Sequence, residues 1–298
     1  ALLGGCSSGS ASDRTSIQLW HLFTGGDGGV FQSMLETVGA QNPDIDINPV
    51  VLTWGGPYYT KLAMSSVGGR SPDLAVMHAT RIVGYAPGGL LDTWDLDRLA
   101  DHGITRDMFP DLLWDKCFLG GEQFAVPLDF HAFLLFYNTD LCGQAGLLDA
   151  EGRLTGLDSP DAFLEAGRTL ADLTGGQGIS YGYTGDGAQV SRMFWGLYAQ
   201  TGASATLVPG QKADLDRDKA IEVVRFVGDM LDGRIATPDM DYGGAVASFS
   251  TGRTAMTFMG NWELQSFVNA GIPFDAATMP TIFGTPATFG DSHVFVLP

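Results

Sequence analysis

Carboxylates, histidines and tryptophans recur just after segments that read as strands. His21, Thr24 and Asp27 follow the first such segment, Trp54 and Tyr58 follow the second, and His78 ends the third. Further on, Asp129 and His131 flank a break at Pro127-Leu128, and Asp186 follows a strand ending at Tyr183. Trp262 and Glu263 open a late helix, and Asp291 and His293 lead into a last strand. Aromatic rings offer a ligand large apolar area at small entropic cost, and carboxylates accept strong hydrogen bonds from hydroxyls. Such a set suits the holding of a polar ligand with apolar faces. It does not suit bond breaking, because no Gly-x-Ser-x-Gly stands at a strand-to-helix turn as an elbow would, and the chain has no metal triad and no Cys/His cluster at zinc spacing. No metal or cofactor is expected.

Each residue also has a plainer role open to it. Asp27 could cap the helix after it, and a histidine at a strand end is often hydrogen-bonded locally. Trp20 fits core or site, while Trp94, Trp114 and Trp195 fit packing. Gly25 and Gly26 allow close backbone approach to a ligand. The same glycine-rich loop could cradle a phosphate, but it lacks the Lys-Ser/Thr of a P-loop.

The positions of these residues depend on the elements around them. Alternation at 17–22, 45–52 and 73–78 reads as strands, separated by helical patterns that include 58–67 and a first helix with Val30, Met34, Leu35 and Val38 on one stripe. Strand–helix alternation of this kind implies a mainly parallel sheet covered on both faces. Two strands flank Gly120-Gly121, and 133–137 is an apolar strand. Helix 159–173 starts with Ser159 and Pro160 and turns Phe163, Ala166, Leu170 and Leu173 inward. A strand at 179–183 and a helix near 189–200 follow, then helix 217–232 with Ile221, Val224, Phe226 and Leu231. The last elements are a strand at 254–259, a helix from Asn261 to Ala270 and a strand at 293–297.

The 298 residues suffice for two cores, and the composition, 45% hydrophobic and 17% charged, is that of a globular chain. The formal net charge is −18, from 34 acidic and 16 basic side chains. A surface of that sign repels phosphate backbones, so nucleic acid is not an expected partner. No apolar run is long enough to cross a bilayer. Leu3-Gly4-Gly5-Cys6 resembles a lipobox, and a Ser/Gly tether follows it, so Cys6 reads as a lipidation site; a frayed terminus is the plainer alternative. Cys117 and Cys142 could then form one disulfide or remain two buried thiols.

Several segments carry a resemblance. Tyr58–Leu62 precedes Ser71-Pro72-Asp73-Leu74-Ala75-Val76-Met77-His78, and Gly89-Leu90-Leu91-Asp92 follows. Phe124–Asp129 leads to Phe136-Tyr137-Asn138, then come Phe249–Met256 and Gly260-Asn261-Trp262-Glu263. Their order is similar to that of extracellular solute-binding proteins of the maltose-binding-like, or family 1, class. The resemblance runs from about Ser16 onward. It implies an α/β, two-lobed periplasmic-binding-protein-like fold with a ligand cleft between lobes joined by a hinge. On this reading residues 1–15 are signal remnant and tether, 16–127 plus 287–298 form lobe 1, and 128–286 form lobe 2. The crossovers fall near Asp129 and Gly290.

The implied role is the substrate-binding component of an ABC importer. It would be lipid-anchored outside the cytoplasm and monomeric, capturing a carbohydrate, and in particular an oligosaccharide, for a membrane permease. Asp129 and Trp262 gain most from the resemblance, which places both at the cleft. Two departures stand out: Arg81-Ile82-Val83 lies where members vary, and the family normally continues past Pro298, which points to an absent C-terminal portion. Competing readings are the same fold holding glycerol phosphate or a peptide, and a glycoside hydrolase using Asp129 and Glu263 as paired carboxylates.

Overall fold

The computed structural model describes residues 14–208 and 210–298, so Cys6 lies outside the described residues. In the first half β1 (Thr15–His21) leads into α1 (Asp27–Gln41), and β2 (Ile45–Val51) leads into α2 (Gly56–Val67), with Pro57 in its first turn. There its missing N–H costs no helical bond. After β3 (Leu74–His78) come short helices α3 (Ile82–Tyr85), α4 (Leu96–Asp101) and α5 (Asp111–Asp115). The hairpin β4 (Phe118–Leu119) and β5 (Glu122–Gln123) turns on Gly120 and Gly121, both at positive φ, and β6 (Ala125–Pro127) follows.

The second half opens with β7 (His131–Asn138), α6 (Thr139–Gln144), α7 (Pro160–Thr174), β8 (Ile179–Ser180) and α8 (Gly187–Gln200). The small pair β9 (Ala205–Thr206) and β10 (Asp214–Leu215) precedes α9 (Arg217–Met230), α10 (Tyr242–Ser250) and β11 (Met256–Gly260). Then come α11 (Leu264–Ala270), β12 (Phe274–Thr278), β13 (Gly290–Asp291) and β14 (His293–Val296). Side chains start these helices as the sequence suggests. Ser159 accepts from Ala162 N at 3.2 Å to start α7, and Asp216 accepts from Asp218 and Lys219 N to start α9.

Two separate sheets result. The first runs β2-β1-β3-β14-β6, with β1 parallel to β2 and β3 but β14 antiparallel to both its neighbours. The second has β7 at its centre, antiparallel to β11 and β12, with β8 beyond β11. A mainly parallel sheet therefore holds only for β1–β3. Each sheet has its own apolar core, one around Leu62, Ala75 and Met77 and the other around Phe133, Leu170 and Phe258. The chain passes between the sheets twice, and the two passages lie side by side. β13 pairs with the start of β7, and β14 pairs with β6.

Some expected faces are rotated. α1 buries Phe31, while Val30, Met34 and Val38 are exposed. In α9 the buried stripe is Val223, Phe226 and Met230, and Val224 is exposed. Leu173 is likewise exposed, because α7 rests on Leu164, Gly167 and Ala171 as well as Phe163 and Leu170. Cys117 and Cys142 are free, each buried in a different core, so no disulfide joins them. Burial pushes both thiols up to about 12.

Candidate ligand-binding site

A cleft of about 560 Å³ opens where both sheets present their loops. From the first sheet's side come Thr24, Gly25 and Asp27 of the β1–α1 loop, Trp54 of the β2–α2 loop, His78 at the end of β3, and His293 at the start of β14. From the second come Arg192 on α8, Tyr242 and Val246 on α10, and Trp262, Glu263 and Ser266 around the start of α11. Seven of the expected site residues thus meet there: Thr24, Asp27, Trp54, His78, Trp262, Glu263 and His293.

Trp262 is built into this wall. Its ring lies directly over Gly260, so close that any Cβ there would overlap it. The indole N–H donates to Tyr242 Oη at 2.8 Å, Tyr242 donates to Glu263 Oε1, and Ser266 Oγ donates to Glu263 Oε2 at 2.6 Å. Burial, and then the Glu263 carboxylate, push the Tyr242 hydroxyl far above its usual range, so it remains a donor. Arg192 lies between the two tryptophans, 4.5 Å from the Trp262 centroid and 5.6 Å from that of Trp54. Its one polar side-chain partner among the described residues is Gln189 Oε1 at 3.2 Å. A buried guanidinium so held is stabilised by π faces and has donors to spare.

Asp27 has one carboxyl oxygen buried without a partner among the described residues. Burial raises its pKa to about 6, with His293 opposing and Glu263 assisting. It does not cap α1, which has no side-chain cap. Gly25 and Gly26 give close approach, but to protein. A Cβ on Gly25 would lie 2.7 Å from Glu263 Oε1, and one on Gly26 would lie 2.9 Å from Ser266 N. The β1–α1 loop is therefore in contact with the far wall.

Asp129 sits at the crossover. It accepts from His293 N and faces His293 Nδ1, both at 2.7 Å, and lies 3.4 Å from His131 Nδ1. Burial alone would raise its pKa, but the hydrogen bonds from His131 and His293 hold the carboxyl well below its usual range. Asp129 and His131 line a smaller neighbouring pocket of about 300 Å³ together with Asp27, Trp262 and His293. Asp186 caps α8 through Ala188 N at 2.9 Å and borders a shallower cavity beside Trp54.

Three expected contacts lie elsewhere. Tyr58 is fully buried and donates to Val76 O at 2.5 Å, so it is a core residue beneath the site. His21 packs edge-on against Phe31 with both ring nitrogens unpartnered among the described residues, and burial lowers its pKa. Asp291 is spent on Thr80 Oγ1 at 2.7 Å and Ser292 N at 2.9 Å, bracing the return crossover. Leu264 is 47% exposed and lines the smaller pocket. The residues missed were Tyr242 and the aromatic cage of Arg192. Asp241 three residues before Gly244 was the available signal, since its carboxylate caps α10 at 2.7 Å.

The profile of one family, described as bacterial extracellular solute-binding protein, matches residues 24–297. The chain belongs to that family. A maltooligosaccharide ABC transporter solute-binding lipoprotein of Streptococcus pneumoniae is 25% identical over 247 residues, which is 80% of this chain and 54% of that protein. A maltotriose-binding protein of Pyrococcus abyssi is 24% identical over 274 residues, 89% of this chain and again 54% of its own length. The chain thus spans about half the length of the curated relatives it matches. The GacH receptor of Streptomyces glaucescens, solved unliganded and with acarbose, superposes with a TM-score of 0.78 at 18% identity, covering 95% of this chain and 71% of that one. The fold of this solute-binding protein is thus the periplasmic-binding-protein fold. No helix among the described residues is long and apolar enough to cross a membrane.

Proposed function

We propose that this solute-binding protein captures a carbohydrate of the maltooligosaccharide class outside the cytoplasm and delivers it to an ABC importer's permease. The observation that carries the reading is the pair Trp54 and Trp262. They come from opposite sheets and face one cleft across Arg192, with Asp27 and Glu263 beside them. Tryptophan faces match the C–H faces of a sugar, and the carboxylates and guanidinium match its hydroxyls. The names of the relatives support the same class. Both acids proposed for hydrolysis are already engaged, Glu263 by Tyr242 and Ser266 and Asp129 by His293, which favours binding over turnover. The two sheets are the cores of two lobes, residues 16–127 with 287–298 and residues 128–286, and closure bends the passages at Asp129 and Gly290. Cys6 anchors the protein, which works as a monomer.

A thermal-shift and calorimetry series on the full-length protein tests this with maltose, maltotriose, maltotetraose, glycerol 3-phosphate and a tripeptide. A ligand bound only by the folded state stabilises it by about 2.7 kcal/mol at a hundredfold excess over Kd. Saturable stabilisation by the glucans is expected. Arg192, which has no carboxylate partner among the described residues, favours glycerol phosphate as the second reading. A shift with that compound and none with any glucan would replace the first. Release of chromophore from nitrophenyl glucosides would instead identify a hydrolase. Membrane fractionation that survives Cys6→Ser would overturn the anchor.

A further inference from the structure

Along the sequence there is no Cys/His cluster at zinc spacing, yet three histidines far apart in the chain converge beneath the cleft. His78 ends β3, His131 begins β7 and His293 begins β14, and all three are buried. One nitrogen from each can be chosen so that all three lie within 4.8 Å of one another. The ring centroids are 4.4 to 5.2 Å apart. The Nδ1 atoms are already oriented by oxygen atoms: Tyr59 Oη at 2.6 Å for His78, and Asp129 at 2.7 Å for His293 and at 3.4 Å for His131. With the ring hydrogen of each histidine on Nδ1, toward its oxygen, Nε2 is the lone-pair nitrogen, and that of His131 is buried without any partner among the described residues.

We propose that His78, His131 and His293 form a binding site for a divalent transition-metal ion such as Zn²⁺, with the fourth coordination position open to the cleft. Three imidazoles plus one exchangeable position is the donor set that Zn²⁺ accepts, and a partner on the far nitrogen of each ring fixes tautomer and orientation. Nitrogens around a tetrahedral Zn²⁺ stand about 3.3 Å apart for Zn–N bonds of about 2.0–2.1 Å. The widest pair here must therefore draw in, through rotation of the His131 ring, whose Nδ1 contact with Asp129 is the long one at 3.4 Å. Burial holds His78 and His131 in the neutral state that ligation requires. The surrounding charge also favours a cation, since Asp27, Asp129 and Asp291 outnumber Arg192 around the rings. The open position faces the ligand space, because His78 and His293 line the main cleft and His131 and His293 the smaller pocket. An ion there would also tie β7 of the second sheet to β3 and β14 of the first.

The test needs no sugar and so stands apart from the proposed transport role. Untagged full-length protein, freed of metal with EDTA, is titrated with Zn²⁺, Co²⁺ and Mg²⁺. One Zn²⁺ or Co²⁺ should bind per chain, the cobalt form should show tetrahedral d–d absorption, and Mg²⁺ should not compete. X-ray absorption on the zinc form of the unaltered protein should report three imidazole ligands, a readout that no folding defect can confuse. His131→Ala, checked for folding by circular dichroism, should lose affinity by more than the roughly 10–100-fold expected of Tyr59→Phe, which removes only an outer partner. His102→Ala, at an exposed histidine, should bind as the unaltered protein does. Absence of stoichiometric Zn²⁺ or Co²⁺ binding, or fewer than three imidazoles at the bound ion, would overturn the proposal.

Discussion

Trp262 is held by Gly260 under its ring, Tyr242 at its N–H, Arg192 4.5 Å from its centroid and the edge of His131, and its remaining surface lines the cleft. A ring so fixed loses little entropy when a sugar stacks on it. Trp262→Ala should weaken glucan binding by about 2 kcal/mol or more, the range of aromatic hot spots. It also packs against the second core, so the melting temperature should fall as well. Calorimetry and a melting curve on this one variant separate the two roles. A destabilised protein that binds at full affinity would reduce Trp262 to packing. Asp27 makes a pH prediction. Its folded pKa, about 6, lies above its ordinary value of 3.8, so folding disfavours its ionisation. Stability from this group is intact below pH 3.8 and is lost as pH rises through 6. Asp27→Asn should therefore be more stable than the parent at pH 7 and equal to it at pH 4, by urea denaturation. Equal stability at both pH values would show the carboxyl to be solvated.

The β1–α1 loop shows how an element can be read correctly and still be misassigned. Its glycines were legible as a place of close approach, but the approaching group is Trp262 O and Ser266 of the opposite wall, not a ligand. Gly26 has φ −60° and ψ −23°, so alanine suits its backbone and only the contact suffers. Gly26→Ala should keep the melting temperature within a few degrees, raise the radius of gyration in small-angle scattering and lower glucan affinity. An unchanged radius with unchanged affinity would mean that the contact is not part of closure. The strand–helix alternation at the start was legible because β1 to β3 are long and bounded by Gly and Pro. α10 was not, since Gly243-Gly244 and the serines of 242–250 look like loop, and only packing of its Ala245 and Phe249 against Phe136, Met259 and Phe267 makes it a helix. Faces of α1 and α9 were misjudged because Val and Met are apolar whether or not anything covers them. The gathering of His78, His131 and His293 depends on strand order, which spacing along the chain does not encode.

Across the whole molecule, sheet topology sets the order in which parts can be completed. β14 lies between β3 and β6, pairing Val296 with Ala75 on one side and with Ala125 on the other. The first sheet therefore stays split until residues near the far end of the described chain arrive, while the strands of the second sheet from β7 to β12 lie in one continuous stretch. Closing so long a loop is slow compared with local pairing. In pulse-labelled hydrogen exchange, amides of β7 and β11 should gain protection before those of β3 and β14, and simultaneous protection would argue for a single nucleus. Emerging from its N-terminal end, the chain can complete its second sheet while the first still waits for β14 to arrive.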